Sequence, residues 1–487
     1  MLNYLAIGGV GFLTISYYFK NDAIGSPVFS DPSIKRPDGH VPIFGCILDL
    51  MKNFHRLHDY FSDQMNVPNV KALCFSIPFT PPFIIINDPQ SIEHITSTNF
   101  DNYVKGQLHS SKLTEMFGNG IFNADGAHWN FQRKVGAKVF TTRAFKNTFD
   151  TVFADNIEIL LDSLNQSARD GTQVDLHDLF HRFFLDSFGK IAFGIDLQGL
   201  SMAEVPFAVS FDRSQKAMVE RYFNPLWKIS EIFNTSNSKD IKLVRDFGLS
   251  VINDRRNNPK DTYNDLLALF MNYSDSDGNG LDDEVLVDQV INFIIAGRDT
   301  TAQALSWTFY HLAKNPRVVQ RLQQEISEIV PASGANPTYD EVKKMKYANA
   351  VFKEALRLNP SVPCETKEAV DDDVLPNGTR IKRGESVVWL PYSVGRNNTI
   401  WENPHEFSPE RWLTGKTYSQ FEYPVFNSGP RICLGKTLAE LQGVFVLTSI
   451  LKRFNVNVVD TARVKYAMSI TQPMEGGLIC KVESRNQ

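Results

Sequence analysis

The sequence predicts a mostly α-helical body with a minor β-sheet, folded as a single domain behind a short apolar N-terminal segment. Three observations carry that expectation. Apolar residues recur at helical spacing through most of the chain. Strand-like runs are short and few. No Pro/Ser-rich linker divides the chain after residue 45. Of the 487 residues, 43% are hydrophobic and 22% charged, which excludes an intrinsically disordered chain. The 36 Phe imply a large apolar interior or cavity. A formal net charge of −5 gives no electrostatic footprint for nucleic acid, and none is expected as a partner. The five cysteines (Cys46, Cys74, Cys364, Cys433 and Cys480) are odd in number and form no paired CxxC. Neither a disulfide framework nor a structural zinc site is therefore expected.

Taken in order, residues 1–20 read as a membrane anchor. Leu2 to Phe19 carries no charge; as a helix it would reach roughly 27 Å, just short of the ~30 Å hydrocarbon core. Tyr17 and Tyr18 close the run where amphipathic rings favour the interface. Lys20, Lys35 and Arg36 follow, on the side the positive-inside rule leaves cytosolic. A cleaved signal peptide is the rival reading, but no basic stretch precedes the run and no A-x-A site follows it. Residues 21–45, with Pro37, Gly39, Pro42 and Gly45, read as a stiff hinge, and 46–487 as the body.

Within the body, helices are predicted over 129–139, 156–167, 176–193, 240–256, 317–329 and 347–358. The longest runs from about Leu281 to Lys314 and stops at Asn315-Pro316. A last helix follows Cys433 and reaches about Phe454. Asp275-x-Asp277-x-Asn279-Gly280, ahead of the longest helix, begins like a calcium loop. Leu286 stands where the bidentate Glu is required, so the segment reads as a polar turn. Strands are predicted over 70–75 with 83–86 as a hairpin, over 379–381 and 387–390, and in a terminal hairpin from Tyr466 to Val482 around Glu475-Gly476-Gly477.

One cysteine differs from the rest. Phe426-Asn427-Ser428-Gly429-Pro430-Arg431-Ile432-Cys433-Leu434-Gly435 precedes a helical pattern, with Gly429 suited to a tight turn and Gly435 to close backbone approach. A cysteine at a helix N-terminus meets free N–H groups and the positive dipole end, which favour a thiolate. A thiolate there is a good axial ligand for haem iron; the alternative is a buried Cys on a Gly-rich turn. The pattern Phe-x-x-Gly-x-Arg-x-Cys-x-Gly resembles that of the cytochromes P450, the haem-thiolate monooxygenases, and fits at every fixed position. The resemblance implies their fold, haem b with Cys433 as iron ligand, Phe426 packed beside the sulfur, Gly429 shaping the loop and Arg431 paired with a haem propionate.

Further motifs agree. Glu354-Ala-Leu-Arg357 places an acid and a base three apart on one helix face; with Arg411 of Pro409-Glu410-Arg411-Trp412, the resemblance makes it a buried structural triad. Trp129 and Arg133 are at helix spacing, and the resemblance puts both on a propionate. Ala296-Gly297-Arg298-Asp299-Thr300-Thr301 sits mid-helix, where Gly costs about 1 kcal/mol against Ala and Thr hydroxyls compete for backbone carbonyls. A local distortion is expected. By resemblance, Ala296 and Gly297 lie over the haem, Thr300 steers protons to dioxygen and Asp299 relays them.

The segment Asn119–Lys134, Arg298 within the oxygen motif, Leu358-Asn-Pro-Ser-Val-Pro363 and Asp373-Val-Leu-Pro-Asn-Gly378 resemble the eukaryotic fatty-acid and alkane ω-hydroxylase branch. Asn359 departs from that branch, which more often carries an aromatic residue there. Segments 103–122, 207–223, 361–366 and 469–474 map to substrate contact and are rich in apolar residues, favouring a long apolar substrate. No flavin-binding stretch follows Cys433. The expected electron donor is NADPH through a separate flavoprotein reductase, with a cytochrome b-type protein as a further donor. Lys134, Lys138, Arg143 and Lys436 offer a basic docking patch, or equally a solvated face. The resemblance further implies an endoplasmic reticulum membrane location with the catalytic domain cytosolic. Two other readings stay open here: the same chemistry on a sterol, terpene or xenobiotic, and a haem protein that senses or isomerises. The Asp299-Thr300 pair speaks against the last. No G-x-S-x-G supports a hydrolase.

Overall fold

The computed structural model describes residues 15–26, 31–140, 149–259, 265–331 and 336–485, apart from 18, 275–277 and 279. The expected anchor lies outside the described residues save for 15–17, 19 and 20. Among the described residues no helix is long and apolar enough to cross a membrane.

Helices dominate, and one organises the rest. It runs unbroken from Asp283 to Lys314. Its N-cap is Asp282, whose side chain accepts from the Val285 N–H at 3.0 Å. The cap therefore follows the expected polar turn, most of which lies outside the described residues. At the other end Pro316 cannot donate a backbone hydrogen bond, and it opens a new helix, Pro316–Ile329. The N-terminal half of the long helix (Leu286 to Ile295) packs with Gly106–Phe117, Pro206–Phe223, Ser236–Asn257 and Leu266–Met271. Its C-terminal half packs with Ala154–Asp170, Leu176–Phe193, Lys346–Leu358 and Lys436–Arg453. One helix thus threads two apolar cores, which is why its apolar residues face all round.

The expected distortion at 296–301 is corrected. The Thr300 hydroxyl donates to the Ala296 carbonyl at 2.7 Å, yet the helix continues through it. Gly297 has a different cause: a Cβ there would overlap the Phe188 ring of the Leu176–Phe193 helix. Glycine leaves the space that this ring fills between the two helices.

The predicted hairpin forms, with Ala72–Phe75 antiparallel to Phe83–Ile86 and Cys74 opposite Ile84. It belongs to a five-stranded sheet that continues through Ser386–Trp389, Glu365–Ala369 and Tyr103–Val104. The predicted terminal hairpin is not formed. Lys465–Tyr466 pairs with Met474–Glu475, but beyond the left-handed Gly476 and Gly477 the chain departs. Ile479–Ser484 pairs with Phe454–Val458 and Gln173–Asp175. Leu478 N–H donates to Asp175 Oδ1 at 2.8 Å, and Leu176 N–H to the Leu478 carbonyl at 3.0 Å. These long-range bonds override the local turn signal. The stretch expected as a hinge is tied to the body. Cys74 N–H donates to the Lys35 carbonyl and Phe79 N–H to the Ile24 carbonyl, and Ile34 is buried.

Candidate active site

The loop 426–435 is held in a conformation that presents the Cys433 sulfur. Cys433 N–H donates to the Phe426 carbonyl at 2.8 Å. Asn427 and Gly429 take φ of 59° and 61°, and any Cβ at Gly429 would overlap the Thr96 carbonyl, so only glycine fits. Gly435 has no such constraint, since a Cβ there would make ordinary contacts. The helix Lys436–Arg453 follows. Burial pushes the Cys433 thiol up, while the N–H groups of Gly435 and Lys436 and the charges of Arg133 and Lys436 pull it down. The sulfur opens into a cavity whose walls include Ala296, Gly297 and Thr300 of the long helix, Trp129 and Arg133, and Phe426 and Arg431 of the loop. All the sequence-predicted site residues thus gather at one cavity, apart from Asp299 and the Glu354 triad, which stand behind it, and Gly429, which shapes the loop.

At one end of this cavity sits an excess of buried cations. Arg431 and Arg133 lie 4.5 and 5.8 Å from the Trp129 ring. Arg431 Nη2 donates to Asp125 Oδ1 at 2.6 Å and to the Ala124 carbonyl at 2.9 Å, while its Nε is buried without a partner. Lys105 pairs with Glu365 at 3.6 Å. Lys367 was not anticipated. It is 2% exposed, and its Nζ has no hydrogen-bond partner among the described residues, with only the Phe100 ring 5.6 Å away. Burial, reinforced by Arg431 and Lys105, drives its pKa well below the ordinary lysine value. Four cations, Lys105, Arg133, Lys367 and Arg431, therefore face two carboxylates, Asp125 and Glu365. This excess of basic side chains over carboxylates, in an apolar cavity that also presents a thiol, fits a dicarboxylate with a thiolate-seeking metal: a haem. The sequence signal for Lys367 was its place two residues beyond Glu365 on a strand, so that both side chains share one face.

Asp299 is 1% exposed. Its carboxylate accepts from Arg298 at 2.8 Å and from Gln215 Nε2 at 2.7 Å. Arg298 in turn bridges Asp212 at 2.6 Å, whose side chain is 56% exposed. Gln215 and Asp212 lie on the helix Pro206–Phe223, and sequence reasoning missed both because only the fold brings that helix over the long one. Burial raises the Asp299 pKa to about 6, against the opposing pull of Arg298.

Glu354 anchors a closed network. Arg357 donates to it through Nε (3.0 Å) and Nη2 (2.8 Å), Arg411 through Nε (3.0 Å), Trp412 through Nε1 (2.9 Å) and Ser408 through its backbone N–H (2.9 Å). Arg357 spends its remaining donors on the carbonyls of Gly395, Pro404 and Glu406.

A second, strongly apolar lobe shares Lys105, Phe122, Ala296, Thr300, Val362 and Glu365 with the thiol cavity, so the two are continuous. All four segments expected at the substrate supply lining, through Leu113 and Phe117, Val219 and Phe223, Val362 and Ile470. Phe207 and Phe211 do not. They pack into the helical core, with Phe207 4.1 Å from the Phe247 ring. Leu57, Phe61, Phe75 and Phe83 line the lobe without having been anticipated, since only the sheet and the Leu57–Met65 helix carry them there. Lys134 and Lys138 of the expected docking patch are exposed; Arg143 lies outside the described residues.

A helical body with a looped cysteine beneath a long helix, and paired cavities for a flat group and an apolar ligand, defines the haem-thiolate class of enzyme. Comparison with known proteins agrees. The family model described as Cytochrome P450 matches residues 36–480. The chain is 36% identical to "Cytochrome P450 704C1" of Pinus taeda over 91% of this chain and 92% of that protein. It is 34% identical to "Cytochrome P450 94A2" of Vicia sativa over 91% and 90%, and 33% identical to "Cytochrome P450 monooxygenase cyp1" of Mycosarcoma maydis over 98% and 79%. The chain belongs to the cytochrome P450 family. It is a monooxygenase, an oxidoreductase acting with O2. The family implies haem, electrons from a redox-partner reductase and a small-molecule substrate.

Proposed function

We propose that the enzyme hydroxylates the terminal (ω) carbon of a fatty acid, using haem b and electrons passed from NADPH by a separate flavoprotein reductase. The observation that carries this reading is the strongly apolar lobe that shares Ala296 and Thr300 with the thiol cavity. It supports an extended hydrocarbon entering end-on, and the sequence motifs point to the same branch.

In this reading Cys433 is the iron ligand, and Trp129, Arg133, Lys105, Lys367 and Arg431 hold the propionates. When bound, the haem supplies dioxygen activation and insertion of one oxygen atom into a C–H bond. The protein's own residues do the rest. The Thr300 hydroxyl spends its proton on the Ala296 carbonyl, which leaves its lone pairs free to accept a hydrogen bond in the cavity. Asp299, with a pKa of about 6, holds or yields a proton near neutral pH. Arg298 and Gln215 fix its position, and the exposed Asp212 leads outward to solvent. Ala296 presents only a methyl group to the cavity, Gly297 makes room for the Phe188 ring that lines it, and the Phe-rich walls exclude water.

The body rests against a membrane in this proposal, at the cytosolic face of the endoplasmic reticulum. Leu226, Ile229, Ile232 and Phe233 are exposed, Phe233 by 85%, as are Leu48 and Met51. The two patches meet through the Phe54–Phe223 ring contact at 5.8 Å, at the rim of the apolar lobe.

The test is product analysis with the reductase-coupled enzyme on a panel of fatty acids, sterols, terpenes and xenobiotics, after a carbon monoxide difference spectrum. A red-shifted Soret band lost in Cys433→His, with ω-hydroxy acids as the main product, is expected. A histidine-type band in folded wild-type protein defeats the ligand assignment. Turnover confined to sterols, terpenes or xenobiotics defeats the substrate assignment.

A further inference from the structure

A basin on the flank of the molecule, lined by residues distinct from those of the thiol cavity, holds about 850 Å3. Its walls are the last turn of the long helix, the first turn of the Pro316–Ile329 helix, the segment 55–59 and the strand Lys465–Tyr466. Its charge is one-sided. Lys314, Arg317, Arg396 and Lys465 bring four cations from four segments of chain. Lys314 reaches the Tyr310 hydroxyl at 3.3 Å, and Arg396 the carbonyls of Leu358 and Tyr392. None of the four forms an ion pair with a carboxylate among the described residues. A fifth cation, Arg56, is neutralised by Asp63 at 2.6 Å.

Against the four stand two carboxylates. Asp59 accepts from the Tyr392 hydroxyl at 2.6 Å and the Tyr466 hydroxyl at 3.0 Å, and Glu406 is exposed at the rim. Two positive charges are left over. The helix Pro316–Ile329 adds to them. Its N-cap Asn315 makes no side-chain capping bond, and its amide N–H donates backward to the His311 carbonyl at 2.8 Å. Pro316 has no N–H and the Val318 N–H donates to the Asn315 carbonyl at 2.9 Å, so this helix start brings the positive end of its dipole to the basin without a side-chain cap.

We propose that this basin binds a phosphate monoester. At neutral pH such a group carries about −1.5 to −2 charges and three strong acceptor oxygens, which matches the surplus. Guanidinium forks and ammonium points both complement it. The basin has room for the organic group of the ester beside the phosphate. The phosphate comes either from a soluble ester or from a phosphatidate headgroup in a membrane.

The holoenzyme is titrated calorimetrically with phenyl phosphate at low ionic strength, and tested by flotation with phosphatidylcholine vesicles with and without phosphatidic acid. One saturable site is expected, weakening as salt rises. The double variant Lys314→Glu/Arg317→Glu, and separately Lys465→Glu, lose affinity at least about tenfold with the Soret absorbance and circular dichroism unchanged. Binding of phenyl phosphate assigns a soluble ester. Binding of phosphatidate vesicles alone, lost in the same variants, assigns the headgroup. No saturable binding to either, or binding that the charge reversals leave unmoved, overturns the proposal.

Discussion

Two buried charge clusters lie on either side of the site, and they are built on opposite terms. Around Glu354 every donor has an acceptor: two arginines, an indole and a backbone amide converge on one fully buried carboxylate, and Arg357 has no donor to spare. Around Arg431 the sum is left open, with Lys367 Nζ and Arg431 Nε buried and unpartnered. Burying a charge is tolerated when it is paired and hydrogen-bonded. A closed cluster is therefore complete within the chain, and an open one is completed by something that binds. The Arg298–Asp299 pair is of an intermediate kind, closed on one side by Gln215 and reaching the surface through Asp212.

Breaking the closed cluster is expected to have the largest effect. Glu354→Ala strands Arg357 and Arg411 as buried charges, at a cost of about 3–5 kcal/mol, read as a fall in urea midpoint and in the yield of folded protein. A midpoint within error of wild type would show that the cluster is not what holds the 346–358 helix to the 404–412 loop.

The intermediate cluster is tested by pH. The Asp299 pKa in the folded protein, about 6, lies above its ordinary carboxylate value of 3.8. The folded state therefore binds more protons over that interval, and this group's contribution to stability declines as pH rises from about 4 to about 6. At its steepest the slope approaches about 1.4 kcal/mol per pH unit. Asp299→Asn flattens the stability profile across that window and leaves it parallel to wild type above pH 7. An unaltered slope below pH 6 would show that Asp299 does not titrate there.

The open cluster sharpens the contrast, with the smallest effect. Lys367→Met removes a buried amine that has no hydrogen-bond partner among the described residues, so circular dichroism and urea midpoint of the haem-free protein hold or improve. Haem affinity falls about tenfold, roughly 1.4 kcal/mol, measured as faster haem transfer to an acceptor globin. A fall in haem-free stability with unchanged haem retention would make Lys367 a structural residue like Arg357.

Much of this was legible in the chain. The 176–193 helix, the 83–86 strand and the end of the long helix were read at the residues where they occur, because local periodicity and caps define them. Glu354 and Arg357 were legible as a pair, since three residues along a helix is one face; Trp412 and Ser408 as co-donors were not. The terminal hairpin was misread because its local turn signal, Gly476-Gly477, lost to long-range bonds with Asp175 and Leu176. The helices Gly106–Phe117 and Pro206–Phe223 went unpredicted. Their polar residues interrupt the apolar pattern and are used for tertiary contacts such as Gln215 to Asp299.

By itself the sequence determined the chemistry: a cysteine on a glycine-shaped loop, an acid and an alcohol adjacent on a long apolar helix, and a family pattern matched at every fixed position. These are local facts, fixed by backbone conformation and spacing. The tertiary structure alone decided charge balance and shape. It left Lys367 without a hydrogen-bond partner, closed the shell around Glu354, set Gln215 on Asp299 and Asp212 on Arg298, and joined the apolar lobe to the thiol cavity. Burial and pairing are properties of residues far apart in the chain, and they exist only once folding has brought those residues together and removed the water between them.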